Sequence, residues 1–379
     1  MPKAIYLHIP FCEHICHYCD FNKVFLHGQP VEEYLFALKE EMKNSITEQG
    51  EVIKTIYIGG GTPTALSLKQ LEFLFESIEQ YFPNKSDDLE YTVEVNPGSV
   101  DVDKLAVLAK AGVNRLSIGV QSFDEGLLRQ IGRTHLEVDV AKTIELSRAA
   151  GFKNISLDLM FGLPTQTIEQ FQTTLKKAFE LNVEHFSAYS LKVEAKTVFY
   201  NLQRKGKLPL PTEEEEANMY SLLIEEMQKN GYEQYEISNF AKKGYESKHN
   251  LTYWDNEEYY GFGAGAHGYV NGVRHANAGP LPKYFSLIEK SGLPHQKEHH
   301  VPKNEQMEEF MFMGLRKIRG VSTQIFKEKF GSPIDVIYGE QISYLIKQGW
   351  LKGDNDYIKL TREGLFFGNE VFEKFLVVE

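Results

Sequence analysis

The sequence predicts an α/β fold: a partial (β/α)6 barrel with an extended sheet, followed by a small C-terminal winged-helix-like domain. Three observations carry this prediction. From Ala4 onward, short runs rich in β-branched and aromatic residues alternate with helical patterns, as consecutive β/α units around a parallel sheet do. Six such units can be counted, fewer than the eight of a closed barrel, so the barrel is expected to be open or laterally widened. From Pro302 the pattern changes to successive helices and a closing hairpin. The 379 residues suffice for two cores, and the boundary is expected between residues 1–300 and 301–379.

In chain order, the strand candidates are Ala4–Ile9, Thr55–Ile58, Glu90–Val95, Arg115–Val120, Ile155–Met160 and His185–Ser190. Between them lie helix candidates such as Val31–Gln49 and Leu68–Tyr81, whose apolar residues recur at intervals of three and four. Glu213–Asn230 reads as a further helix, opening on the solvated run Glu213–Glu216. Gly231–Ser238 and Gly265–Ala276 read as strand and hairpin material that extends the sheet to about residue 300, with Asn271-Gly272 as a turn. Helices then follow near Glu305–Ile318, Thr323–Phe330 and Ile334–Gln348. A hairpin over Leu351–Leu360, turning at Gly353-Asp354-Asn355, completes a helix-and-wing pattern.

Composition excludes several classes. Hydrophobic residues at 42% and charged residues at 25% argue against long disordered tracts. The 41 basic against 53 acidic side chains give a net charge of −12, which disfavours a broad nucleic-acid footprint. The C-terminal segment is no exception, with 11 basic and 12 acidic residues from Val301. Neither a signal peptide nor a spanning run of apolar residues is found, so the expected location is the cytoplasm; peripheral contact with a membrane stays open.

All three cysteines fall within eight residues, as Cys12-Glu-His-Ile-Cys16-His-Tyr-Cys19, directly after the first expected strand. An odd count in one short loop cannot form a disulfide framework. Three thiolates can hold three irons of a cubane and leave the fourth iron open to a small molecule with an amine and a carboxylate. The alternative is a structural zinc site completed by His8, His14 or His17, although only one C-x2-C pair is present. In β/α barrels the loops after the strand C-termini carry the chemistry, and this loop has that placement. The run Gly263-Ala-Gly265-Ala-His-Gly268 matches G-x-G-x-x-G, but the residues after it read as a hairpin instead of a helix, so dinucleotide binding is rejected.

The run Tyr6-Leu-His-Ile-Pro-Phe-Cys12, the cysteine spacing, Tyr18 and Gly59-Gly60-Gly61-Thr62-Pro63-Thr64 together resemble the radical S-adenosylmethionine (SAM) family that contains oxygen-independent coproporphyrinogen III oxidase and the haem chaperones. Glu94-Val-Asn-Pro97, Gly119-Val-Gln121-Ser-Phe123, Gly132-Arg133 and Asp158-Leu-Met-Phe-Gly-Leu-Pro164 extend the likeness over nearly the whole chain. The resemblance implies a [4Fe–4S] cluster on Cys12, Cys16 and Cys19. It also implies SAM contacts at Glu94, Gln121, Arg133 and Asp158, with further contacts at Tyr6, Tyr18, Gly60, Gly61 and Thr62. Carboxylates can pair with the amine, sulfonium or ribose hydroxyls of such a ligand, and an arginine with its carboxylate.

Within that family two activities separate at readable positions. The oxidase pattern carries a fourth cysteine two residues after the third, where this chain has Phe21, and an N-terminal extension before the cysteine loop. In contrast, His249-Asn250-Leu-Thr-Tyr253-Trp254 resembles the H-N-x-x-Y-W motif of the haem chaperones. Imidazole is a common haem ligand and aromatic rings pack on a flat macrocycle. The resemblance therefore implies a chaperone that binds haem and passes it to haem proteins such as respiratory enzymes, with a reductant serving the cluster. Cleavage of SAM is left open, and no catalytic residue is assigned. Radical oxidative decarboxylation of coproporphyrinogen III is the alternative, and a zinc-stabilised interaction protein is a third reading.

Overall fold

In the computed structural model, residues 2–46, 52–354 and 356–376 are described. Twelve strands form one sheet: β1 (Ala4–Ile9), β2 (Ile53–Gly60), β3 (Lys85–Val95), β4 (Arg115–Gln121), β5 (Asn154–Phe161), β6 (His185–Ser190), β7 (Glu233–Glu236), β8 (Asn239–Ala241), β9 (Tyr259–Phe262), β10 (His267–Val270), β11 (Val273–Asn277) and β12 (His295–His300). Their order is β12-β11-β10-β9-β1-β2-β3-β4-β5-β6-β8-β7. The six expected barrel strands are present and neighbouring ones pair in parallel. A seventh parallel strand, β9, pairs with the other side of β1, where no strand was expected. Its four residues, Tyr-Tyr-Gly-Phe, are too few and too uniformly apolar to show a period, and Gly261 breaks the run.

The central strands are buried on both faces, as a parallel sheet with outer helices requires; all seven residues of β4 are buried. Ile5, Leu7, Ile56, Ile58, Val93, Leu116, Ile118, Leu157 and Phe186 belong to one continuous core with the inner faces of the helices. Local chemistry starts those helices where the chain needs them. Ser67 Oγ accepts from the Gln70 amide while Gln70 Oε1 accepts from the Ser67 amide, and Thr167/Gln170 and Thr212/Glu215 repeat this reciprocal cap. The Glu213–Glu216 run is the first turn of helix Glu213–Lys229, where acidic side chains oppose the helix dipole favourably.

The first helix is shorter than its apolar pattern suggests. It spans Val31–Ser45, and Ile46 turns to extended backbone; residues 47–49 of the expected helix lie outside the described residues. At the hairpin between β10 and β11, Asn271 and Gly272 both take positive φ, 51° and 74°, as a tight two-residue turn demands.

Beyond residue 301 lie helices Lys303–Gly314, Thr323–Phe330 and Ile334–Lys347 and a three-stranded antiparallel sheet of β13 (Val321–Ser322), β14 (Leu351–Gly353) and β15 (Tyr357–Leu360). Asn355, expected at the turn between the last two, lies outside the described residues. Phe310, Met311, Phe326, Phe330, Tyr338, Leu345 and Phe375 form a core of their own. This unit leans on helix Lys248–Trp254 and its surroundings. Arg274 donates to both carboxylate oxygens of Glu309 at 2.6 and 2.7 Å, and the Arg316 guanidinium lies 4.5 Å from the Trp254 ring. Among the described residues no helix is long and apolar enough to cross a membrane.

Candidate functional site: the cavity beneath the cysteine loop

The cysteine loop leaves the C-terminal end of β1 and is closed at its base by a short parallel pairing, Phe11 with Val24 and Cys12 with Phe25. Its middle is pinned from outside. The His17 amide donates to the Ile131 carbonyl at 3.0 Å, and the His17 ring Nδ1 lies 2.8 Å from the Gln130 carbonyl. Cys12 is buried, whereas Cys16 and Cys19 are half-buried. All three line a single cavity of about 450 Å³ inside the partial barrel. The loop therefore roofs the C-terminal ends of the strands, the usual place for chemistry in such barrels.

Seven of the expected SAM contacts also line that cavity together with Tyr18: Gly60, Gly61, Thr62, Glu94, Gln121, Arg133 and Asp158. Strand register explains the gathering, since Glu94, Gln121 and Asp158 sit toward the C-terminal halves of β3, β4 and β5. Tyr6 is the exception. It stands behind the wall, its hydroxyl 2.9 Å from His8 Nδ1 and its ring stacked on Tyr57. The glycines are required by close approach of this chain to itself. A Cβ on Gly61 would sit 2.9 Å from Cys12 Sγ and 2.8 Å from the Phe11 carbonyl, and one on Gly60, at φ +112°, would strike the His8 ring.

Polar groups on the wall are organised in relays. Glu94 accepts from the Tyr57 hydroxyl at 2.8 Å and from the Gly60 amide at 3.0 Å. Burial pushes its carboxyl up to about 7, against the pull of those hydrogen bonds. Asp158 accepts from Ser117 Oγ at 3.1 Å, and burial raises it to about 6 while Arg115 opposes the rise. Arg133 donates to Asn96 at 2.8 Å, Asn96 donates to Thr62 Oγ1 at 2.9 Å, and Thr62 Oγ1 lies 3.9 Å from Cys12 Sγ. Arg133 Nε is buried without a partner, so this guanidinium retains donor capacity. Burial also raises the thiols, Cys12 to about 11 and Cys19 in the same direction.

These residues fit the groups the family implies. The pocket offers three thiols on one wall, an under-satisfied guanidinium, and two buried carboxyls that can pair with a cation once ionised. Two of the three histidines of the zinc alternative are engaged elsewhere: His8 is 4% exposed with Nε2 2.6 Å from the Asn22 carbonyl, and His17 faces Gln130, whereas His14 lines the cavity with the cysteines. Among the described residues no three His, Cys, Asp or Glu side chains converge on one ion. Thiolates that each take a different iron need not converge in that way.

The H-N-x-x-Y-W residues lie on helix Lys248–Trp254, which packs on Thr55 of β2 and Glu90 of β3. Only Asn250 reaches the cavity wall. His249 is 1% exposed, with Nδ1 2.9 Å from Thr55 Oγ1 and Nε2 2.8 Å from the Tyr253 hydroxyl, and its ring stacks on Tyr57. Burial, assisted by Arg115, pushes its imidazole down to about 3, so it is neutral. Tyr253 packs edge-on against Tyr259, and Trp254 is covered by Arg316. Glu90 fixes the helix start by accepting from the Lys248 and His249 amides at 2.9 and 3.0 Å.

Asn96, Arg115, Tyr57 and Asn22 were not picked out by sequence reading. Asn96 falls inside the quoted Glu94-Val-Asn-Pro97 motif, which was the available signal. Arg115 opens a strand, and only the fold shows it reaching the cavity with its Nε unpartnered.

Comparison with known proteins agrees with this geometry. Residues 6–178 match the Radical SAM superfamily and residues 301–367 match the HemN C-terminal domain. The chain is 52% identical over 375 residues to the "Heme chaperone HemW" of Bacillus subtilis, covering 99% of each chain. It is 35% identical to the "Heme chaperone HemW" of Escherichia coli, covering 99% of this chain and 98% of that one. It is also 34% identical to "Radical S-adenosyl methionine domain-containing protein 1, mitochondrial" of Mus musculus, over 96% of this chain and 84% of that one. Among solved structures, the coproporphyrinogen III oxidase HemN of Escherichia coli superposes with a TM-score of 0.86 at 23% identity, covering 99% of this chain and 90% of that one, a likeness of fold.

Proposed function

The chain belongs to the radical SAM superfamily and, within it, to the HemW family; from that premise we propose that it binds haem and delivers it to haem-accepting proteins such as respiratory enzymes. The observation that carries the reading is the meeting of Cys12, Cys16 and Cys19 with Glu94, Gln121, Arg133 and Asp158 around one cavity in a chain half identical to a haem chaperone. In this proposal the cysteines hold a [4Fe–4S] cluster, and SAM occupies the cavity. Such a cluster, with a reductant, supplies an electron that can split bound SAM into methionine and a carbon radical.

The chain's own residues have separable tasks. Arg133, held by Asn96, lines the cavity and is placed to take a ligand carboxylate with its guanidinium. Glu94 and Asp158 are placed to pair with the amine, the sulfonium or the ribose hydroxyls, and Tyr57 and Ser117 orient them. Gln121, held at φ +66° where β4 ends, completes the wall, and Gly60, Gly61, Thr62 and Tyr18 shape it. Tyr6 belongs to the support behind, through His8.

Haem contact is assigned to helix Lys248–Trp254, with Asn250, Tyr253 and Trp254 beside His249. Because both ring nitrogens of His249 are engaged, its use as an iron ligand requires release of one of them, from Thr55 or from Tyr253. Residues 301–379 are assigned to a separate unit, in keeping with their own core. The test is a haem titration of anaerobically reconstituted protein, run beside an assay with coproporphyrinogen III. Haem bound at about one per chain without porphyrinogen turnover supports the proposal. Turnover without stable haem binding would mean that Phe21 does not exclude the oxidase chemistry.

A further inference from the structure

The Gly263–Gly268 run leads into a strand instead of a helix, and it is gripped from two sides. It crosses from β9 to β10 through a turn with Gly263 at φ +100° and Gly265 at φ +79°. It is held from behind by a buried carboxylate. Glu41 accepts from the Gly263 amide at 2.9 Å and from Asn277 at 2.6 Å, and the Ala264 amide donates to Tyr34 Oη at 3.1 Å. What presses on its front is the cysteine loop. Asn22 Nδ2 donates to the Ala264 carbonyl at 2.7 Å and to the Gly279 carbonyl at 3.0 Å. The Asn22 carbonyl lies 2.6 Å from Nε2 of His8, whose Nδ1 is engaged by Tyr6. A Cβ on Gly265 would lie 2.6 Å from Asn22 Cβ.

Asn22 follows Cys19 by three residues, on the arm that carries the chain away from the loop. The incoming arm is fixed separately, by burial of Cys12 against Gly61. We propose that Asn22 is a positioning residue for the iron–sulfur centre, clamping the outgoing arm of the cysteine loop to the Gly263–Gly268 turn and so fixing the place of Cys19. The inference rests on the reading that the three cysteines hold a cluster. Two amide donors reaching two carbonyls from separate segments define a direction as well as a distance. Aspartate has the same size but offers carboxylate oxygens to those carbonyls, so it converts attraction into repulsion. Alanine removes the bond and leaves the carbonyls unpaired.

The experiment uses full-length, anaerobically reconstituted protein. Asn22→Asp and Asn22→Ala loosen the clamp from the loop side, and Gly265→Ala does so from the turn side. Phe326→Leu, in the C-terminal core, lowers stability without touching the loop. Iron and sulfide content, the rate of iron loss to a chelator, the electron paramagnetic resonance of the reduced cluster with and without SAM, and thermal unfolding before reconstitution are read for each. Outer-shell partners of metal ligands commonly alter metal affinity by tenfold or more. Iron loss about tenfold faster and a changed SAM-dependent spectrum in all three clamp variants, with neither change in Phe326→Leu, are the expected results. Wild-type rates and spectra in the Asn22 variants, or iron loss that merely follows stability in every variant, would overturn the clamp while leaving the cluster intact in the wild type. A wild type that takes up no iron overturns the cluster reading and the clamp with it. Should the Asn22 variants not fold, Gly265→Ala reads the same contact from the other side.

Discussion

Asn250 and His249 are neighbours on one short helix and face different surroundings: Asn250 lines the cavity that the three cysteines share, and His249 is sealed between Thr55, Tyr253 and the Tyr57 ring. Successive helical residues are turned by about 100°, so one residue of the pair reaches the cavity while the other packs against the sheet. The motif therefore also forms part of the packing between this helix and β2.

If haem draws on His249, freeing the imidazole should help. Thr55→Val removes one hydrogen-bond partner without adding bulk, and His249→Ala removes the ring. Haem is expected to bind Thr55→Val more tightly than wild type and His249→Ala more weakly, as read by a Soret-band titration. Equal affinity in all three would place haem elsewhere on the chain.

Protonation gives a second test of the same residue. The folded value of about 3 for His249 lies below the ordinary 6.5, so the unfolded chain binds a proton that the folded chain excludes. Its stabilising contribution is fully present above pH 6.5 and is lost as the pH falls toward 3. The stability gap between wild type and His249→Gln is thus expected to narrow as the pH is lowered from 7 to 4.5, measured by urea unfolding. A gap that stays constant or widens would show that the ring is not held neutral by burial.

The raised carboxyls of Glu94 and Asp158, at about 7 and about 6, make cation binding compete with protons. SAM affinity is expected to rise between pH 5.5 and 8, by up to about tenfold per unit where one carboxyl must ionise, and then to level. Glu94→Gln should bind SAM more weakly and flatten the upper part of that rise. Equilibrium dialysis of reconstituted protein under anaerobic conditions would show it; a pH-independent affinity in wild type would remove these carboxyls from the ligand's cationic end.

Gly61→Ala brings a methyl group to 2.9 Å from Cys12 Sγ. Such a contact forces the loop to move, and iron retained after reconstitution is expected to fall well below that of wild type. Gly339→Ala, with nothing within 4 Å of the added carbon, serves as the control and should keep its iron. Matched iron content in both variants would mean that the loop yields without disturbing the cysteines.

Much of this architecture could be read from residue order. Ala4–Ile9 and His185–Ser190 coincide with their strands, and Leu68–Tyr81 and Thr323–Phe330 with their helices, because apolar spacing and caps act locally. The seventh parallel strand, Tyr259–Phe262, was not readable, since its pairing with β1 joins residues more than 250 positions apart. The same limit applies within the site. The cysteine spacing and the family motifs name the cavity wall, yet the link from Asn22 to Ala264 spans 242 residues and leaves no local trace. Nor does spacing alone tell which side of a seven-residue helix faces inward, and so the burial of His249 emerges only with Thr55 and Tyr253 in place.

The most direct measurement is electron paramagnetic resonance of the reconstituted, reduced protein with and without SAM, combined with iron and sulfide analysis. The account expects about four irons per chain, dependent on Cys12, Cys16 and Cys19, and a cluster signal that changes when SAM is added. Zinc in place of iron, or a cluster signal indifferent to SAM, would contradict it.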